Sequence, residues 1–178
     1  QHIVPDGELR WMGARRTENL IADSTTMGDF TAASGTFDGE TYTVTSLSIS
    51  QGIQLPSSIV SAGDEKFALQ VEVLKTSTVL TALLKVRSTM GAGTDYGNVA
   101  VSIATGEITG GDGVVVDVGD AWLVKLVSDA IPASTQSMII RLVSESIGST
   151  LIVRKPQIEN VTNQSIQTAA DYIATTST

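Results

Sequence analysis

From residue 67 onward the chain is a succession of short alternations. Phe67, Leu69, Val71 and Val73 are separated by Ala68, Gln70 and Glu72, a period of two that puts one set on the buried face of a strand and the other on its outer face. Val99, Val101 and Ile103 repeat the pattern, as do Trp122, Val124 and Leu126, then Met138, Ile140 and Leu142, then Leu151 and Val153. The denser run 79–86 suits a helix by period, but its Val and Thr content and the flanking turn residues favour a strand. Upstream, Tyr42 and Val44 alternate and the phase slips at Leu47 and Ile49, the mark of a bulge. Turn residues punctuate these runs. Residues 90–98 form a loop with three glycines, Thr105-Gly106 and Gly110-Gly111-Asp112-Gly113 bracket a hairpin strand around Ile108, and Gly119-Asp120 is a tight turn. Pro156 lacks an N–H and belongs at a strand end or a sheet edge. About eight to ten strands at this spacing predict an all-β fold, an antiparallel β-sandwich or barrel, rather than βαβ units.

The length of 178 residues suits one domain. A chain of this size buries enough surface to need no cross-links, and it has no cysteine, so disulfides and thiolate metal sites are excluded. Aromatic residues make up only 4% of the chain, so the core must rest on Val, Ile and Leu. Residues 1–22 lack the alternation and begin with the turn Pro5-Asp6-Gly7; they are expected to form an N-terminal arm, with residues 23–178 as a single sandwich domain. There is no apolar run of about 18 residues, so no membrane-spanning helix is expected. The first residue is Gln1, which reads as a processed product, a fragment or an incompletely known sequence.

The formal net charge of −8 repels phosphate backbones and makes nucleic acid a poor partner. Arg10, Arg15 and Arg16 beside Trp11 are the exception. They suit either a solvated arm or an assembly arm that docks on an acidic neighbour. Enzyme chemistry has little to work with. The only histidine, His2, lies in the arm, whereas a nucleophile needs a base held rigidly beside it. Asp64, Glu65, Glu107, Glu145 and Glu159 could in principle pair across a cleft for glycoside cleavage; solvated turn residues are the simpler reading. Gly110 to Gly113 is not followed by a helix or by Gly-Lys-Ser/Thr, so it is a hairpin turn and not a phosphate loop. Asp112, Asp117 and Asp120 do not have the spacing of a calcium loop. No cofactor or catalytic metal is expected, and a structural calcium would need backbone carbonyls as well. Trp122 opens an alternating strand, which favours core anchoring over sugar stacking. For ligand contact the best candidate is Tyr96 in the loop Gly91–Asn98, with Asp95 and Asn98 as hydrogen-bonding neighbours.

Three groups of segments share an order and spacing. They are Ala14-Arg15-Arg16-Thr17-Glu18-Asn19-Leu20-Ile21; then Ala104-Thr105-Gly106-Glu107-Ile108 with Asp117-Val118-Gly119-Asp120-Ala121-Trp122; then Lys155-Pro156-Gln157-Ile158-Glu159 with Ala170-Asp171-Tyr172-Ile173-Ala174-Thr175. Together they resemble the carbohydrate-binding-like jelly-roll modules of tailed-bacteriophage virion proteins. Those usually run GARTNLL, then STGTV and DVGNGWYRV, then GAQLE and TSYIPT. This chain departs from the pattern where Arg16 and Glu18 intervene, where Asp120-Ala121 stands for Asn-Gly, and where Leu123-Val124 replaces Tyr-Arg. The resemblance implies a jelly-roll-like sandwich. It also implies a non-enzymatic structural role at the virion surface, as a capsid decoration or a tail-fibre or appendage module. Expected partners are other virion proteins, further copies of the chain and host-surface glycan. The alternative is a carbohydrate-binding accessory domain of a larger secreted enzyme.

Overall fold

The alternating segments fold as strands, and every pairing between them is antiparallel. The computed structural model describes residues 2–3, 9–10, 19–21, 35–45, 52–54, 59–88, 94–142, 147–165 and 167–172. In chain order the strands are β1 (His2–Ile3), β2 (Leu9–Arg10), β3 (Gly35–Phe37), β4 (Tyr42–Thr45), β5 (Gly52–Gln54), β6 (Ile59–Ser61), β7 (Phe67–Leu74) and β8 (Thr81–Ser88). They continue with β9 (Asp95–Ser102), β10 (Ile108–Gly111), β11 (Val114–Asp117), β12 (Ala121–Val127), β13 (Ser134–Leu142) and β14 (Thr150–Asn160). No helix occurs among the described residues.

Two six-stranded sheets carry the fold. The first runs β10-β9-β8-β13, with β5 and β6 both pairing along the far side of β13; the second runs β11-β12-β7-β14-β4-β3. Ala82, Leu84, Val86, Val99 and Val101 of the first sheet share one buried cluster with Leu69, Val71, Val73, Val124, Leu126, Leu151 and Val153 of the second. The architecture is therefore sandwich-like, with the interior built from β-branched and leucine side chains as the low aromatic content requires. β10 and β11 lie at the edges of different sheets and do not pair, so the turn at Gly110–Gly113, expected to close a hairpin, is instead a corner between the sheets. Gly111 makes that crossing with φ of 74°, where a Cβ would stand 2.1 Å from the Asn98 carbonyl oxygen, so only glycine fits.

β14 differs from the sequence expectation. Pro156 lies inside the strand, not at its end, and just beyond Val153, the last residue paired with β4. Its missing N–H is absorbed by a bulge: the register with β7 shifts between Arg154 and Gln157, and Lys155 takes a left-handed φ of 51°. The N-terminal segment adds to the sheet just past this point, where β4 has ended. Asn19 Nδ2 donates to the Pro156 carbonyl at 3.1 Å, the Ile158 N–H donates to Asn19 Oδ1 at 3.2 Å, and the Leu20 N–H donates to the Ile158 carbonyl at 2.8 Å. Ile21 is fully buried in the core. The expected arm boundary at residue 22 is thus corrected, because residues 19–21 are part of the sandwich. Ahead of them, among the described residues, β1 and β2 pair only with each other. Trp11, Arg15 and Arg16 lie outside the described residues, as does the phase slip at Leu47 and Ile49; Arg10 closes β2.

The alternation on β7 is also modified. Ala68, Gln70 and Glu72, expected to face solvent, are buried along with Phe67, Leu69, Val71 and Val73. Truncation should distinguish positions that composition alone cannot. Leu69→Ala should cost about 2–5 kcal/mol in a denaturant titration, as for other buried leucines, whereas Leu80→Ala, at a side chain 74% exposed, should change stability by no more than about 0.5 kcal/mol.

Candidate functional site

The outer face of the second sheet is organised in rows across β12, β7 and β14. Cross-strand register aligns Leu123, Glu72 and Arg154 in one row, Lys125, Gln70 and Gln157 in the next, and Val127, Ala68 and Glu159 in a third. The segment after β14 folds back over these rows. Val161 and Ala169 pack on Ala68 and Val127 as a second, small apolar cluster. Glu159, 1% exposed, fastens the returning chain: its carboxylate accepts from the Ala170 N–H at 2.6 Å and from Gln157 Nε2 at 2.5 Å. Gln157 Nε2 also donates to the Asp171 carbonyl at 3.3 Å, and Lys125 Nζ reaches the Ala169 carbonyl at 3.4 Å. A buried carboxylate is tolerated only with such donors. The Gln-x-Glu spacing puts both side chains on one face of β14, and that face is the one the tail covers.

The upper row is an ion network. Glu72 accepts from Arg154 Nε at 2.6 Å and from Lys155 Nζ at 2.9 Å. The left-handed bulge residue thereby turns its ammonium onto the same carboxylate as its neighbour. The remaining guanidinium nitrogens reach Asp120 at 2.7 and 3.0 Å and Glu40 at 3.3 Å. Hydrogen bonds to Asp120 and then Glu72 raise the Arg154 pKa above its ordinary value, and Arg154 in turn holds Asp120 below the usual carboxylate range. A cavity of about 240 Å³ lies between this network and the tail, lined by Gln70, Glu72, Leu123, Lys125 and Lys155 on the sheet and by residues 170–172 above it. A more apolar cleft of about 280 Å³ lies at the turn between β10 and β11, where Val114, Lys125, Val127 and Ala169 are among the walls.

The residues expected to bind ligand do not form a loop site. Asp95, Tyr96 and Asn98 belong to β9, whereas residues 89–93 lie outside the described residues. Asp95 is drawn into the sheet by cations on β8: Lys85 Nζ donates to both of its oxygens at 2.9 and 3.1 Å, and Arg87 stands 3.6 Å away. Tyr96 is half-buried and packs against the core, a correction to its expected exposure, since a ring gains more from covering apolar side chains than from standing in water. Asn98 is exposed, and its carbonyl accepts the Asp112 N–H at 2.9 Å.

The remaining candidates are also dispersed. Asp117 pairs with Lys75 at 2.7 Å and accepts the Gly119 N–H; these contacts, Lys75 first, lower its pKa. Asp120 belongs to Arg154, and no group of three or more His, Asp or Glu residues converges on a metal position among the described residues. Trp122 is half-buried against the core, donates from Nε1 to the Ile103 carbonyl at 2.8 Å and carries Lys75 over its ring at 4.0 Å. Gly106, with φ of 74°, lies flat on the same ring, and a Cβ there would come within 2.6 Å of it. Among the carboxylates read as solvated, Glu159 is buried. Glu65 is held by the Ala62 N–H at 2.7 Å and Asn160 Nδ2 at 2.8 Å, and Glu107 by the Thr105 hydroxyl at 3.2 Å. Asp64 sits in a left-handed turn with φ of 54°, and Glu145 lies outside the described residues. Sequence reasoning missed Gln70, Glu72, Lys125 and Gln157 as a group. The one signal that could have found them is the pairing of the Gln157–Glu159 motif with a distant Ala170-Asp171-Tyr172.

No protein-family model matches the chain, and no curated protein matches it.

Two outcomes check this geometry. Glu159→Ala removes the acceptor of the Ala170 N–H and one acceptor of the Gln157 amide. It should cost about 1–3 kcal/mol and speed hydrogen exchange selectively at residues 167–172; exchange raised uniformly along the chain would show that the carboxylate supports the whole fold instead. The second outcome concerns acid. Asp38, which accepts the Thr41 and Glu40 N–H groups and the Thr41 hydroxyl, has its pKa lowered to about 2, and Asp117 and Asp120 are lowered as well. A depressed folded pKa contributes stability that is complete above the unfolded value of about 3.9 and is lost as the pH falls through the folded value. The melting temperature should therefore decline from about pH 4 towards pH 2, and less steeply in the Asp117→Asn/Asp120→Asn variant. A melting temperature that rises over the same interval would contradict the assignment.

Proposed function

We propose that the chain is a non-enzymatic structural module of a tailed-phage particle, built as a jelly roll and displayed on the virion surface as a capsid decoration or as part of a tail fibre or appendage. Strand order supports the jelly roll. With β1, β2, β3, β10 and β11 set aside and β5 and β6 counted as one position, the eight remaining strands run first-eighth-third-sixth in one sheet (β4-β14-β7-β12). In the other they run second-seventh-fourth-fifth (β5/β6-β13-β8-β9). That is the arrangement produced by two Greek keys wrapped around one core.

The observation that carries the phage-module reading is the tail fastening. Gln157, Glu159 and residues 170–171, which bear the family-like terminal motif, bond to one another across the outer sheet. Asn19 of the family-like opening motif binds at the β14 bulge in the same region. The motifs therefore have a shared physical purpose, closing the ends of the chain onto β14, and their joint presence is what a common architecture requires. A non-enzymatic role is favoured by the commitments of Glu65, Glu107 and Glu159 to neighbouring N–H, amide and hydroxyl groups. Partners in this reading are capsid or tail proteins, further copies of the chain and, for adhesion, host-surface glycan.

The test is recovery of the protein from gradient-purified particles of a phage that encodes it. Multiple copies per particle, labelled by antibody on intact virions, are expected. Its presence only in the soluble lysate, or within a longer secreted polypeptide bearing a catalytic domain, would replace this reading with that of an enzyme's accessory domain.

A further inference from the structure

An open sheet ends in strands whose outer backbone groups lack a ladder partner, and folded proteins guard such edges by shortness, bulges, proline or lysine. Among the described residues, three of the sandwich's edges are guarded. β3 has three residues, β5 and β6 share one edge with three each, and β10 is interrupted by a register shift between Ile108 and Gly110. β11 has none of these devices. Val114-Val115-Val116-Asp117 pairs regularly with β12 on one side, and no described strand adds to the other. Cross-strand register sets Val114 beside Lys125 and Val116 beside Leu123 on the outer face of the second sheet. There they are 51% and 42% exposed, and Val118 follows them at 39%. An apolar strip thus borders an open ladder, the combination that templates strand addition. We propose that β11 is the edge by which two copies of the chain join, pairing antiparallel about a two-fold axis at Val115 into one continuous sheet.

The backbone selects the phase. The Val118 N–H donates to the Ala121 carbonyl at 3.1 Å across the turn. Hydrogen-bonded and open pairs alternate along an antiparallel ladder, so Val116 and Val114 also turn their N–H and C=O groups to β12. Val115 and Asp117 turn theirs to the open side, and a second β11 bonds through those residues. Charge then chooses the register. With Val115 opposite its own copy, Asp117 faces Gly113, Asp112 faces Val118 and Val114 faces Val116. No carboxylate meets a carboxylate, and two valine pairs close over the joint on the outer face. Neighbouring registers are worse. An axis at Val116 sets Asp112 opposite Asp120 and Val115 against Asp117, and an axis at Asp117 sets that residue opposite itself. The Asp117 side chain is meanwhile committed within its own chain to Lys75 and the Gly119 N–H, which neutralises it beside the joint. This self-match identifies the occupant, because one strand supplies both sides of the ladder without a charge clash, as a two-fold contact requires. A single strand pairing is a small contact, below the roughly 1,200 Å² of stable complexes. The joint is therefore weak between free molecules and effective where many copies are held side by side. It deepens the proposed function by naming the surface through which further copies meet, and rests on that reading only for their crowding on a particle.

The experiment uses the purified full chain in solution, so its outcome is separate from whether the protein travels with particles. Sedimentation equilibrium up to about 1 mM should show monomer and dimer with a dissociation constant of roughly 10–500 μM. Association should be tighter at about 0.5 M than at about 0.05 M sodium chloride, because two copies of charge −8 repel one another across an uncharged joint. Hydrogen exchange at Val115 and Asp117 should slow as the concentration rises. Val114→Glu and Val116→Lys place charges on half-exposed side chains. Each alone should weaken the dimer by about tenfold or more, with the melting temperature of the dilute protein unchanged. Since Val114 faces the partner's Val116 in this register, an equimolar mixture of the two variants should pair at close to the wild-type affinity. A monomer at every concentration, a dimer untouched by both variants, or a mixture no tighter than either variant alone would overturn the proposal. So would concentration-dependent protection at Ile108–Gly111 in place of Val115 and Asp117, which marks joining through β10. If one variant does not fold, the other decides together with exchange at Val115 and Asp117.

Discussion

The arrangement of the second sheet depends on how β14 accommodates Pro156. A proline within an interior strand removes a ladder hydrogen bond and cannot be ignored by its neighbours. The strand answers with a bulge at Lys155 and Pro156, and three consequences follow from that single irregularity. Lys155 is turned onto Glu72 beside Arg154, so two cations serve one carboxylate. The Pro156 carbonyl and the Ile158 N–H are freed for Asn19, which ties the N-terminal segment to the strand. After the bulge, Gln157 and Glu159 face outward together, where they meet the C-terminal segment. Both ends of the chain are therefore closed by the same strand.

Burying Glu159 has its own logic. A charge taken out of water is costly, and the contact is worth keeping only when donors surround it. One of the donors, the Ala170 N–H, belongs to the returning segment, whose Val161 and Ala169 pack on the sheet. The carboxylate therefore specifies where the tail lies more than it stabilises the sandwich. With the tail in place, the outer face of β7 is closed over Ala68, Gln70 and Glu72, and a surface that would have been an ordinary wet sheet face becomes an enclosed polar one.

The strand content was legible because alternation is a local property. Phe67 to Val73, Val99 to Ile103 and Trp122 to Leu126 each declare a buried face without reference to the rest of the chain, and those faces meet in one core. The loop reading of residues 90–98 failed at its far end for a non-local reason: Asp95 has Lys85 and Arg87 as cross-strand partners, and glycine-rich composition says nothing about a neighbour ten residues upstream. Glu65 and Glu159 were read as solvated because most carboxylates are, and only the identity of the donors around them reverses that expectation.

The sequence by itself determined an all-β chain with a Val/Ile/Leu interior, the positions of most strands, and the motifs at its two ends, because side-chain period and turn chemistry are written within a few residues of each other. Only the tertiary structure decided that Pro156 sits inside a bulged strand, that Ile21 belongs to the core, and that Gln70, Glu72 and Glu159 are buried. These depend on contacts between distant segments, Glu72 with Arg154 across 82 residues and Asn19 with Ile158 across 139, or on the tail that folds back over Glu159, and the burial of a polar side chain is set by what covers it, which no local pattern records.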